Sequence, residues 1–201
     1  MTAAILGILA GLVHVVAGPD HLAAVSPLTV DQRRKAWWLG IHWGLGHTVG
    51  VAVIGILAIM FRQTMAVEQI AAGAEWLVGV SLVAIGLWGF HMATAATTTQ
   101  KNHIPNRRVS VILGVGVLHG LGGGSHLLSA LPGLAFPHPS QVITYILAYG
   151  IGTILAMTCF SMALSRMATY VREYGHPKAE RRLLASASLM TLVVGGFWLM
   201  H

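Results

Sequence analysis

Six stretches of this chain are long and apolar enough to cross a lipid bilayer, a requirement of about 20 residues each. They run approximately from Thr2 to Leu28, Ala36 to Phe61, Ile70 to Ala95, Val109 to Phe136, Gln141 to Ser165 and Leu183 to Met200. Hydrocarbon offers no water to a stray N–H or C=O, so segments of this kind close their hydrogen bonds internally and fold as helices. The expected fold is therefore all-α, a polytopic membrane protein with six transmembrane helices in a single domain over residues 1–201. Composition agrees: 9% of residues are charged against 55% hydrophobic, too few to coat a water-soluble globule. The N-terminus lacks the basic region and small-residue cleavage site of a signal peptide, so the first run is expected to stay as a membrane helix.

The Lys and Arg residues set the expected orientation. Eleven of the twelve fall in three alternate loops: Arg33, Arg34 and Lys35 after the first span, Lys101, Arg107 and Arg108 after the third, and Arg166, Arg172, Lys178, Arg181 and Arg182 after the fifth. Arg62 alone lies on the opposite side. This asymmetry places the basic loops in the cytoplasm and both termini outside, as in a bacterial inner (plasma) membrane protein. The net charge of +6 is thus a topology signal and not a nucleic-acid footprint. One cysteine, Cys159, excludes an intramolecular disulfide and a thiolate zinc site.

Two spans carry breaks. "AGPD" interrupts the first and "GLGGGS" the fourth, where Gly and Pro disrupt the helical ladder, so helices one and four are expected to be discontinuous. The two breaks also align. His14 and His21 recur as His119 and His126, each 105 positions on, and the same offset carries Pro27 onto Pro132. With small register shifts, "GLGHT" in span two resembles "GIGT" in span five, and "GLWGFH" in span three resembles "GFWLMH" in span six. Three matches in one order indicate a duplicated three-helix unit, with repeat one over 1–100 and repeat two over 106–201. An odd number of spans enters the membrane from opposite sides in its two copies, which is the inverted-repeat plan of many secondary transporters.

His14, Asp20 and His21 put two imidazoles and a carboxylate where an unpaired charge is costly. Imidazole and carboxylate suit divalent first-row ions. Positions seven apart lie about 10 Å along an ideal helix, so one ion reaches both histidines only if the Gly18-Pro19 break shortens that distance. "HWGLGH" adds His42 and His47, which leave span two in different directions; at least one of them is expected to act as ligand or relay. In the second half Ser125 replaces Asp20, so His119, Ser125 and His126 form a weaker cation site lining the related part of the pathway. His91, His103, His138, His176 and His201 lie at span ends or in loops and are expected to be solvated. Trp37, Trp38 and Trp76 read as an interfacial belt, and Glu75 as an interfacial acid. "GLGGGS" lacks the following Lys of a phosphate cradle.

With its histidine-aspartate-histidine motif, "GPDHLAAVSPL", "GLGHT" and "LHGLGGGSHLL", the chain resembles the nickel/cobalt transporter superfamily, closest to its small UreH-like or NicO-type branch. The resemblance covers most of the chain. It implies transition-metal recognition by a first-helix motif of His, four residues, then Asp-His, with help from a second-helix His. Those roles fall on His14, Asp20, His21 and either His42 or His47, although five residues stand between His14 and Asp20 here.

The expected activity is non-enzymatic: secondary transport of a divalent transition-metal ion, nickel or cobalt by resemblance, with zinc, iron and manganese left open, and no organic cofactor. Membrane lipid and the metal ion are the expected partners, nucleic acid is not, and a homo-oligomer is left open. Without a nucleotide-binding motif, transport draws on an ion gradient or on the membrane potential, worth roughly 2.3 kcal/mol per charge per 100 mV. Two other readings compete: a membrane haem protein with axial histidines, and an intramembrane metal-dependent hydrolase, which lacks HExxH.

Overall fold

A computed structural model of the protein describes residues 1–31, 35–60, 65–94, 106–122, 136–175 and 178–200. Among the described residues there are seven helices and no strand: α1 (Thr2–Ala17), α2 (Pro19–Asp31), α3 (Ala36–Met60), α4 (Met65–Thr94), α5 (Asn106–Leu121), α6 (Pro139–Tyr174) and α7 (Ala179–Met200). Four of these hold apolar stretches long enough to cross a membrane, Ala36–Leu57, Gln69–Thr94, Pro139–Tyr174 and Ala179–Met200, and the α1–α2 pair adds a fifth if taken as one bent span. The apolar part of α5, Ser110–Leu121, is shorter. Its expected continuation to Phe136, with most of the "GLGGGS" break, Ser125, His126 and Pro132, lies outside the described residues.

The first apolar run is discontinuous. α1 ends at Gly18, whose backbone is extended (φ −92°, ψ 99°) and whose N–H donates to the His14 carbonyl at 3.0 Å. Pro19 then opens α2, a position where a missing N–H costs nothing because a first-turn donor has no helical partner. The two axes meet at 72°. Nearly every residue of α2 from Asp20 to Val30 is buried, so this segment runs among the other helices and not along the lipid.

A second proline shapes α2. Pro27 has no N–H, which deprives the Ala23 carbonyl of its partner in the helix. Thr191 of α7 offers a donor in its place, its Oγ1 lying 2.9 Å from that carbonyl oxygen and 2.8 Å from the Ala187 carbonyl of its own helix, the two acceptors sharing one hydroxyl hydrogen. One boundary expectation is corrected. At about 1.5 Å per residue, the 36 residues of α6 reach about 54 Å, well beyond the hydrocarbon, so Arg166 and Arg172 ride on the helix and not in a loop.

The helices pack in three closest pairs, α1 on α6, α3 on α5 and α4 on α7. Backbones touch because small residues line the seams. A Cβ at Gly11 would meet the Tyr149 carbonyl oxygen across α1·α6, and one at Gly116 would meet that of Trp43 across α3·α5. Gly152 and Gly46 stand in the same way against the carbonyls of Ile8 and Leu113. The main core gathers Val15, Ala24, Leu39, Trp43, Leu82 and Met157. A smaller one holds Val30, Ala93, Ala168 and Leu184. The outside is apolar as well: Ile143, Leu147, Ile151 and Leu155 of α6, spaced by four, are each about half exposed, the surface expected against lipid.

Thr191→Val keeps the shape of the side chain and removes the donor to Ala23. A buried carbonyl left without a partner costs about 1–3 kcal/mol, so thermal unfolding in detergent is expected at a lower temperature for Thr191→Val, with Thr191→Ser staying close to wild type.

Candidate metal centre

The bend at Gly18 turns a sequence separation of seven into direct contact. His21 Nε2 lies 2.7 Å from His14 Nε2, and His21 Nδ1 lies 2.9 Å from Asp20 Oδ2. These distances define a string. With the proton of a neutral His21 on Nδ1 and donated to Asp20, Nε2 is left as an acceptor and His14 Nε2–H donates to it. Asp20 is buried, and its carboxylate sits in the first turn of α2, where the helix dipole favours negative charge. Gly18 matters for space: a Cβ there would stand 3.1 Å from both Asp20 Oδ1 and His21 Cδ2.

α3 brings in the third imidazole. His47 is fully buried, with ring centroids 5.3 Å from His14 and 5.1 Å from His21, and each of the three histidines offers a ring nitrogen within 4.8 Å of the others. Trp43, one turn earlier, stacks on His47 at 5.1 Å with 16° between the planes. His119 of α5 closes the group at 5.9 Å from His21; its Nδ1–H donates to the Val115 carbonyl at 2.8 Å. Its Nε2, fully buried, has no hydrogen-bond partner among the described residues. Tyr149 of α6 packs 5.6 Å from His14.

His14, Asp20, His21, His47 and His119 are thus gathered from four helices. His42 is not: its Nδ1–H donates to the Trp38 carbonyl at 2.9 Å and its ring lies 4.2 Å from that of Trp38. His42 and His47 are five positions apart, about 140° around the helix, and the α3·α5 seam takes the His47 face. Ser125 and His126 lie outside the described residues. His91 and His138 are exposed, as are Trp37, Trp38 and Trp76. Trp43, Tyr149 and Thr153 are missed by motif reading, although "HWGLGH" and "GIGT" contain Trp43 and Thr153.

The chemistry of this group is that of soft nitrogen donors in a dry, carboxylate-backed pocket. Asp20 meets the His21 ring at Nδ1 through Oδ2, the arrangement in which a carboxylate fixes the tautomer of an imidazole. Two imidazoles on one tetrahedral ion, with bonds of about 2.0–2.1 Å, keep their nitrogens about 3.3 Å apart. The His14–His21 pair is closer than that, so one ion held by both nitrogens would need the rings about 0.6 Å further apart.

Fold and centre together define a polytopic α-helical membrane protein with a buried histidine cluster at a broken helix. The chain is similar to two Arabidopsis thaliana proteins, Chloroplast protein FOR GROWTH AND FERTILITY 2 and Chloroplast protein FOR GROWTH AND FERTILITY 1. Each is 27% identical over 97% of this chain and 55% and 58% of the relative, respectively. It is also similar to the Urease accessory protein UreH of Bacillus sp. (strain TB-90), at 29% identity over 78% of this chain and 73% of that protein. The chain therefore spans a little over half the length of its two chloroplast relatives. No family model matches the chain, and no solved structure does.

In protein labelled with 15N-histidine, solid-state NMR is expected to show His21 as the Nδ1–H tautomer hydrogen-bonded to a carboxylate. Asp20→Leu is expected to remove that coupling, and retention of the tautomer and its shift in the variant would contradict the string.

Proposed function

We propose that this chain is a secondary permease that moves a divalent transition-metal ion, nickel or cobalt, across a membrane by alternating access. The observation that carries this reading is the set of ring nitrogens of His14, His21 and His47, mutually within 4.8 Å at the break of a membrane helix, with Asp20 behind one of them. Three neutral imidazoles select a first-row transition metal over magnesium or calcium, which take oxygen ligands. Nickel or cobalt in place of zinc, iron or manganese rests on the motifs shared with the nickel/cobalt transporter superfamily. The ion is cargo: it sheds water onto His14, His21 and His47, while Asp20 orients His21 and offsets part of the charge. His119, with Ser125 and His126, lines the path in the second half.

The seams support a two-fold relation between residues 1–100 and 106–201. Gly11 and Gly116 are 105 positions apart, the offset that relates the histidine pairs, and the carbonyls they meet, of Tyr149 and Trp43, are 106 apart. Gly152 and Gly46 repeat the pattern with Ile8 and Leu113. On α4·α7, Gly79 against Gly195 corresponds to Gly86 against Ser188 at an offset of 109, one residue from the register in which the end motifs match. The same exchange sets Thr153 in the place of His47. The geometry favours an ion over a haem, because a porphyrin has to stand between its two axial imidazoles and here the nitrogens bond directly. A relative named as an accessory protein is in keeping with a non-enzymatic role.

Proteoliposome uptake and equilibrium binding, run across Ni, Co, Zn, Mn and Fe, test the reading. Alanine at His14, His21 or His47 is expected to lower nickel or cobalt affinity by about 100-fold, and Asp20→Asn by about 10- to 100-fold through the loosened ring. His42→Ala is expected to stay within a few-fold of wild type. Unchanged uptake in His14→Ala and Asp20→Asn would reject the site.

A further inference from the structure

We propose that Trp43 and Tyr149 are the two gates of the histidine site, each closing it toward a different face of the membrane. The proposal rests on the alternating-access reading above and assigns to it two residues that no histidine motif contains.

Three observations point there. Both rings are buried, Trp43 at 1% and Tyr149 at 4% exposure, and each lies against a histidine of the other half: Tyr149 is 5.6 Å from His14, and Trp43 is 5.4 Å from His119. Each also stands one helical turn before a buried polar residue of the site, Trp43 before His47 and Tyr149 before Thr153. Another turn earlier, Leu39 and Tyr145, both 1% exposed, continue the two seals. Finally, the aromatic residues themselves form the tight seams, since Gly11 abuts the Tyr149 backbone and Gly116 abuts that of Trp43.

The direction of each seal follows from chain path. α3 and α6 run antiparallel, with Gly40 against Met157 and Thr158, Gly44 against Ile154 and Gly150 against Thr48, so their starts lie at opposite ends of the bundle. Trp43 sits between the site and the face where α3 begins; Tyr149 sits between the site and the face where α6 begins. Parting α1 from α6 draws Tyr149 off His14 and opens one face, with the α3·α5 seam still shut. Parting α3 from α5 does the reverse. Two seams of like construction but opposite direction give two open states from one site, which is what alternating access requires.

The test needs a reporter inside the site. Thr153 is fully buried and its Oγ1 has no hydrogen-bond partner among the described residues, so Thr153→Cys in a Cys159→Ser background leaves one thiol there. A membrane-impermeant methanethiosulfonate is applied to one face at a time, in vesicles of each orientation. With both rings present, labelling is expected to be slow from both faces. Tyr149→Ala is expected to speed labelling from the α6-start face alone, and Trp43→Ala from the α3-start face alone, each by about tenfold or more as a minor open state becomes the main one. Trp43→Leu replaces Trp43→Ala if the latter gives no monodisperse protein.

Tyr149→Phe and Trp43→Phe keep a ring and are expected to stay sealed. Acceleration from the same face in both alanine variants, or in neither, overturns the proposal, and so does equal acceleration by the phenylalanine variants. Nickel binding by the Cys159→Ser protein, with Thr153 in place, separates the two levels. Loss of sided labelling with binding intact sinks the gates alone, whereas sided labelling without nickel binding supports the gates and sinks the metal reading.

Discussion

A hydrogen bond between two imidazole rings, His14 Nε2–H to His21 Nε2 at 2.7 Å, ties α1 to α2 across the bend between them. In hydrocarbon each polar group has to find a protein partner, and a bend of 72° frees several at once. The break at Gly18 is satisfied locally by its own N–H on the His14 carbonyl, and Pro19 contributes no donor. The side chains complete the closure: Asp20 accepts from His21, and His21 accepts from His14. α1, α3, α4, α6 and α7 all pack on α2, which leaves the bend into the protein interior and is covered on nearly all sides.

That cover comes from backbone approach more than from bulky side chains. Between helices in lipid there is no hydrophobic gain, since the tails are as apolar as leucine, so attraction depends on close van der Waals contact and on polar pairs. Glycines on α1, α3, α5 and α6 allow the first, and Thr191 reaching the carbonyl freed by Pro27 supplies the second. The same contacts that hold the bundle therefore set His47 beside the α1–α2 pair. A seam of small residues packs without interlocked side chains, which suits surfaces that part and close again.

The residues of the break were legible from the chain. A Gly-Pro pair inside an apolar run, flanked by His14 and Asp20-His21, pointed to a discontinuous helix with its polar groups turned inward. Which histidine of "HWGLGH" joins them was not legible, because His42 and His47 are equivalent in composition and differ only in the face they occupy. α5 decides it, by packing against the face that carries His47 and leaving His42 beside Trp38. The contact of Asp20 with its neighbour was not legible either: adjacency in sequence does not tell which ring nitrogen a carboxylate meets, and the fold sets Asp20 Oδ2 at 2.9 Å from His21 Nδ1.

By itself the sequence determined the class of solvent this chain lives in, the number and rough limits of its apolar runs, the position of the first break and the recurrence of a histidine pair at 105 positions. All of these are carried by residue type and spacing, which act locally. Tertiary structure alone decided the angle of the bend, the approach of His14 and His21 to hydrogen-bond distance, the entry of His47 and the burial of Trp43 and Tyr149 beside the histidines. These depend on which helix faces meet, and in a chain apolar all round its helices no local signal marks the face; backbone contact at glycines far apart in sequence does.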